Sequence, residues 1–171
     1  MIDLHLHSTA SDGTLTPEEV VTLAKQANLT AIALTDHDSV DGLETALKAC
    51  QKQQLNFVPG IEFSTKMQEY SLHILGYFIN WQQQKLNRVL VGLRKSRQER
   101  AAKIVAKLNA LGISLSLEEV KAISGKSAIG RPHIALALMQ KKFVKDIKTA
   151  FDLYLANGKP AHVEKKVLTP A

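Results

Sequence analysis

Apolar positions come in short runs separated by polar turns along residues 1–80, and then switch to helical spacing along residues 81–160. Ile2 to Leu6 reads as a short strand. Thr16-Pro17-Glu18-Glu19 has the form of a helix start, with a capping Thr, Pro in the first turn and Glu three residues after the cap, and this helix is expected to run to about Asn28. Ala31-Ile32-Ala33-Leu34 is a continuous apolar run of strand length, as in a strand covered on both faces, and the polar Thr35–Ser39 turn follows it. A second helix is predicted at Val40–Gln53. Asn56–Phe63 forms a third strand interrupted by a Pro59-Gly60 bend, and Tyr70–Ile79 a fourth. The order is βαβαββ.

From Gln82 onward Leu86, Leu90, Leu93, Ala101, Ile104, Val105 and Leu108 trace an apolar stripe up to Leu111-Gly112, which predicts one long helix or two. Shorter helices are expected at Leu117–Ile123, Arg131–Gln140 and Lys145–Leu155. Residues 1–80 therefore form an α/β part and residues 81–160 an all-helical module, with 161–171 returning toward the strands. Gly125-Lys126-Ser127-Ala128 reads as a plain loop, because it lacks the earlier glycine of a phosphate-binding P-loop.

A length of 171 residues with 45% hydrophobic content suffices for a real core. The single cysteine, Cys50, excludes an intrachain disulfide and suggests a reducing compartment. Met1 leads straight into a strand-like segment, and no window approaches the roughly 20 apolar residues of a membrane span, so a cytoplasmic location is expected and membrane association is not. Charge is unevenly divided. Residues 1–79 carry ten acids against four lysines, net −6, whereas residues 80–171 carry 18 Lys and Arg against six acids, net +12. The acidic part suits a cation site and the basic part the capture of an anionic ligand.

The polar residues of the acidic part are of metal-binding type. His5 and His7 are two apart, so an extended strand turns both to the same face with neutral ring nitrogens able to share one divalent cation. Asp12 in Ser11-Asp12-Gly13, His37 in Thr35-Asp36-His37-Asp38 and Glu62 after an apolar run all fall at or just beyond strand ends, where ligands collect in parallel α/β folds. His73 lies within the fourth strand near Gly76. A His, Asp and Glu set without cysteine suits zinc, manganese or iron in a catalytic centre. Plainer roles compete: Asp12 as a turn residue, Asp38 or Ser39 as the cap of the following helix, and His73 as a hydrogen-bonded core residue.

The ordered set Asp-Leu-His-Leu-His-Ser, Ser-Asp-Gly, Leu-Thr-Asp-His-Asp, Pro-Gly-Ile-Glu-Phe-Ser and Leu-His-Ile-Leu-Gly-Tyr resembles the polymerase and histidinol phosphatase (PHP) family. It is most similar to the subgroup of nucleoside 3′,5′-bisphosphate phosphatases that also trim short RNA from the 5′ end, because Gly130-Arg131-Pro132-His133 matches that subgroup's substrate-binding segment. The resemblance implies the N-terminal part of an irregular (β/α)7 barrel with an all-helical insertion serving as a substrate-facing cap. It also implies two or three divalent ions. His5, His7 and Glu62 would hold the first, Glu62 and His73 a second, and Asp12 and His37 a third. Each set is one ligand short of the family's, whose remaining ligands come from Ala-His-Pro and Ser-Asp-x-His segments that do not occur here. The sequence is therefore expected to be part of a longer protein, inactive by itself and prone to self-association.

By resemblance the activity is metal-dependent hydrolysis of a phosphate ester, on a nucleoside 3′,5′-bisphosphate or the 5′ end of short RNA, with Glu62 and His37 catalytic through water held by the metals and Arg131 and His133 binding substrate. The alternatives are another small phosphorylated metabolite or a catalytically silent metal-binding interaction module. Arg131 offers a planar two-pronged donor for phosphate, although Pro132 also makes it a plausible helix-start residue. The basic run Lys85, Arg88, Arg94, Lys95, Arg97, Arg100, Lys103 and Lys107 has no aromatic residues interleaved, which disfavours stable nucleic-acid binding while still allowing short phosphate-rich substrates.

Overall fold

Each boundary of the strand-rich part follows from a local signal and one partner. In the computed structural model, which describes residues 1–67, 70–125, 127–166 and 168, the first strand, β1, is Ile2–Leu6. Helix α1, Pro17–Gln26, starts with a reciprocal cap. Glu19 N donates to Thr16 Oγ1 at 3.3 Å, and Thr16 N donates to the Glu19 carboxylate at 2.7 Å. Its inner face buries Val20, Val21 and Ala24. Strand β2, Ala31–Leu34, is buried from Ile32 to Leu34, and helix α2, Leu43–Gln53, closes over it with Leu43, Ala46, Ala49 and Cys50.

Strands β3, Asn56–Met67, and β4, Tyr70–Tyr77, complete a curled sheet of order β1-β2-β3-β4. The first two pairings are parallel and the third antiparallel. The expected Pro-Gly interruption of β3 does not occur. Pro59 is the last residue paired with β2, opposite Leu34, and Gly60 is the first paired with β4, opposite Tyr77, so this dipeptide marks a change of partner along one continuous strand. Proline donates nothing to a ladder, and its carbonyl accepts from Ile79 N at 3.3 Å. Glycine is needed next to it, because a Cβ there would lie 2.7 Å from Thr35 Cγ2.

The chain divides into two compact units, Met1–Leu93 with Leu168, and Arg94–Lys166. The boundary falls inside α3, Gln84–Ala110, rather than near residue 80 where the strand pattern stops, because Leu86, Leu90 and Leu93 pack with Ile61, Val40 and Ile79 of the sheet unit. Leu168 pairs in parallel with Thr65 and accepts from Lys66 N at 3.0 Å. Val167 and residues 169–171 of the expected return segment lie outside the described residues, as does Lys126 of the loop.

The second unit is helical. Helices α4, Leu117–Ser124, and α5, Arg131–Gln140, and the short α6, Ile147–Ala150, which continues as a π-helical turn over Phe151–Leu155, bury Val120, Ile134, Leu138 and Leu155 against Ile104, Val105 and Leu108. Helix α4 repeats the reciprocal cap with Ser116 and Glu119. Among the described residues no helix is long and apolar enough to cross a membrane.

Candidate metal centre

Glu62, two residues past the partner change at Gly60, is 2% exposed and points into a ring of four histidines. His5 Nε2 lies 2.8 Å and His7 Nε2 3.0 Å from its Oε2, His37 Nδ1 lies 3.6 Å from the same oxygen, and His73 Nδ1 lies 2.5 Å from Oε1. Asp12 stands on the other side, with Oδ1 3.6 Å from His7 Nδ1 and Oδ2 3.8 Å from His37 Nε2. All six expected ligands thus come together in the first unit.

Local structure explains the convergence. His5 sits in β1 and His7 just past its end, on one face as the two-residue period requires. His37 follows β2 and forms an isolated parallel bridge with Glu62. In the antiparallel ladder Glu62 faces Leu75 and Ser64 faces His73, which makes His73 the diagonal neighbour of Glu62.

The donors group into three overlapping triads, His5/His7/Glu62, His7/Asp12/His37 and His37/Glu62/His73, with the ligand atoms of each triad within 4.8 Å of one another. His37 Nδ1 is buried without a hydrogen-bond partner among the described residues, a costly state for a polar atom unless a cation takes its lone pair. The donor set and this orphaned nitrogen fit divalent ions. Burial would raise the pKa of Glu62, but hydrogen bonds from His5 and His73 and the charge of His37 outweigh it and hold the carboxyl below its ordinary value. Burial also depresses the His37 pKa, against the pull of Asp12 and Glu62.

The residues flanking His37 do not take the competing role of capping α2. That helix begins after Gly42 with no side-chain cap. Asp36, 1% exposed, accepts from Ser8 N at 2.7 Å, Ser8 Oγ at 2.7 Å and Ser11 Oγ at 2.6 Å, while Asp38 Oδ1 accepts from Ser64 N at 2.9 Å. The two carboxylates fasten the segment bearing His7 and Asp12 on one side and the strand bearing Glu62 on the other. Burial pushes the Asp36 pKa up, opposed by the hydrogen bonds from Ser11 and Ser8.

Arg131 and His133 open α5 in the second unit. Arg131 donates to Leu155 O at 3.1 Å and Asn157 Oδ1 at 3.2 Å and lies over the Phe151 ring, and His133 Nδ1 accepts from Gly130 N at 3.0 Å. Arg100 of the basic run, which no sequence signal separated from its neighbours, donates to Val163 O at 2.7 Å. Its pKa is pushed down to about 10 by burial and by the charges of Arg131 and Arg97.

These features are those of a PHP domain, and the chain belongs to that family, whose model matches residues 3–165. A 3′,5′-nucleoside bisphosphate phosphatase of Chromobacterium violaceum is 37% identical over 163 residues, covering 95% of this chain and 57% of that protein. The 5′-3′ exoribonuclease Rnm of Escherichia coli is 32% identical over 163 residues, covering 94% of this chain and 56% of its own length. The crystal structure of a Chromobacterium violaceum amidohydrolase with bound sulfate and no metal superposes with a TM-score of 0.88 at 36% identity, over 98% of this chain and 60% of that one. A candidate metal-dependent phosphoesterase of Bifidobacterium adolescentis superposes at 0.89 with 25% identity, over 98% and 59%. The chain therefore spans little more than half the length of these relatives.

Proposed function

We propose that the protein is a metal-dependent phosphoesterase that hydrolyses a phosphate ester of a small nucleotide, a nucleoside 3′,5′-bisphosphate or the 5′ end of a short RNA. The observation that carries this reading is the buried carboxylate of Glu62 facing four histidines from three segments, a cluster that is costly without cations. His5, His7 and Glu62 would hold one ion, Glu62 and His73 a second beside His37, and Asp12 and His37 a third. Bound there, manganese, zinc or iron supplies the charge that polarises a phosphoryl oxygen and acidifies water. Glu62 would be shared by the first two ions, and the lowering of its pKa favours the carboxylate form that such a role needs. His37, half-buried, would hold the third ion with Asp12, and through water on that ion it would take part in the hydrolysis.

The anionic substrate needs cations, and Arg131 with His133 in the second unit is the candidate pair: burial lowers the Arg131 pKa, opposed by the charge of Glu164, and its planar guanidinium suits a phosphate. The names of the relatives, a nucleoside bisphosphate phosphatase and a 5′-3′ exoribonuclease, support this substrate class. The test is phosphate release from adenosine 3′,5′-bisphosphate by the manganese-loaded complete protein, against its Glu62→Gln variant, the 171-residue chain alone being expected to release none. Release that depends on both metal and Glu62 is expected. Stoichiometric metal with no release would make the protein a catalytically silent metal-binding module instead.

A further inference from the structure

The Ser8–Gly13 loop folds back on the chain so closely that a Cβ at Gly13 would lie 2.7 Å from the backbone of His7, and Ser11 N and Gly13 N both donate to Ser8 O at 3.0 Å. This fold brings Ser11, 5% exposed, between Asp36 and His7. Its hydroxyl lies 2.6 Å from Asp36 Oδ1 and 3.4 Å from His7 Nδ1. A hydroxyl has one proton to give, and the shorter contact, to a carboxylate that is acceptor-only when ionised, takes it. Toward His7, Ser11 Oγ is left to accept. The other neighbour of that nitrogen, Asp12 Oδ1 at 3.6 Å, is also an acceptor.

We infer that Ser11 is a positioning residue of the metal centre: its hydroxyl, oriented by Asp36, accepts the Nδ1–H of His7 and leaves Nε2 as the ligating lone pair. The inference rests on the metal-centre reading above and adds the device that selects the tautomer. With Nδ1 protonated, His7 Nε2 and Glu62 Oε2 face each other at 3.0 Å as two acceptors, an arrangement that requires a cation. An outer partner on the second imidazole nitrogen fixes the ring and raises its basicity as a ligand. Here that partner is a serine relayed to a buried carboxylate, 25 residues from it in sequence.

The experiment uses zinc as the probe, with its affinity measured calorimetrically and the His7 ring followed by ¹⁵N NMR in zinc-loaded protein. Wild type is expected to show His7 bound through Nε2, with an Nδ1 proton that exchanges slowly. In Ser11→Ala zinc affinity should fall roughly 10- to 100-fold and the Nδ1 proton should exchange fast, and Ser11→Thr, which keeps the hydroxyl, should recover most of both. Ser11→Ala that matches wild type in affinity and exchange overturns the inference, as does Ser11→Thr no better than Ser11→Ala. No zinc uptake by wild type overturns the metal-centre reading and this inference with it, an outcome distinct from the other two.

Discussion

His73 Nδ1 meets Glu62 Oε1 at 2.5 Å across the diagonal of the β3–β4 ladder, so two candidate ligands 11 residues apart are brought together by strand pairing. Every position proposed for an ion at the His5/His7 and His37/His73 sides shares Glu62. Replacing it with Gln preserves size and hydrogen-bonding surface but removes the charge. Metal content after dialysis, read by atomic emission, should fall by more than about a hundredfold in affinity terms, beyond the loss typical of an outer partner, with the melting temperature of metal-free protein little changed. Wild-type metal content in Glu62→Gln would remove the carboxylate from the centre.

Gly60 separates the two pairings of β3, and its closeness to Thr35 gives a test of that joint. Gly60→Ala puts a methyl group 2.7 Å from Thr35 Cγ2 and 3.2 Å from Leu34 O and Gly76 O. Overpacking of this kind costs about 1 to 3 kcal/mol in denaturant unfolding. Adding Thr35→Ser removes the nearest atom and should restore part of the loss. An unshifted midpoint in the single variant would mean that the strand crossing is looser than described.

Arg131 has both a structural and a proposed substrate role, which separate by readout. In the complete protein Arg131→Ala should lower kcat/KM for a nucleoside bisphosphate by roughly ten- to a hundredfold, the loss of a charged hydrogen bond of about 1.5 to 3 kcal/mol, while metal content stays at the wild-type level. It should also lower the melting temperature, since the tie to Leu155 O is lost. Arg131→Lys keeps charge but not the planar fork. If only stability changes, Arg131 serves the fold alone.

Glu119 predicts an acid-limb effect in the helical unit. Hydrogen bonds from Lys141, then from Ser116 N and Oγ, lower its pKa from 4.5 to about 2. The unfolded chain therefore binds the proton first, and stability present above pH 4.5 is lost as pH falls toward 2. Melting curves between pH 5.5 and 3 should decline more steeply for wild type than for Glu119→Gln. Parallel curves would mean that the cap and the Lys141 contact are not maintained in solution.

The helix starts were legible wherever their signals are local. Thr16-Pro17-Glu18-Glu19 gave the reciprocal cap of α1, and Gly130-Arg131-Pro132 gave α5 as Arg131–Gln140. The six candidate ligands were legible because imidazoles and carboxylates repeatedly placed at strand ends suit a shared cation, although only Glu62 among them is buried. Pro59-Gly60 misled because turn propensity was overridden by partners that lie elsewhere in the chain, Leu34 on one side and Tyr77 on the other. The roles of Asp36 and Asp38 were illegible for the same reason. Their serine partners are 25 to 28 residues away, and only the folded sheet makes Ser8, Ser11 and Ser64 their neighbours.

β1 and β4 hold the centre from opposite sides with unequal firmness. Glu62 and His73 share an antiparallel ladder of eight consecutive pairs, whereas β1, carrying His5 and leading to His7, is joined to β2 through a register that slips between Asp3 and Leu6. The β4 side of the candidate centre is therefore held by more consecutive pairings than the β1 side. If the proposed ions bind there, small adjustments are expected to fall on β1 while the carboxylate stays in place, so uptake should not discriminate sharply among ions of different radius.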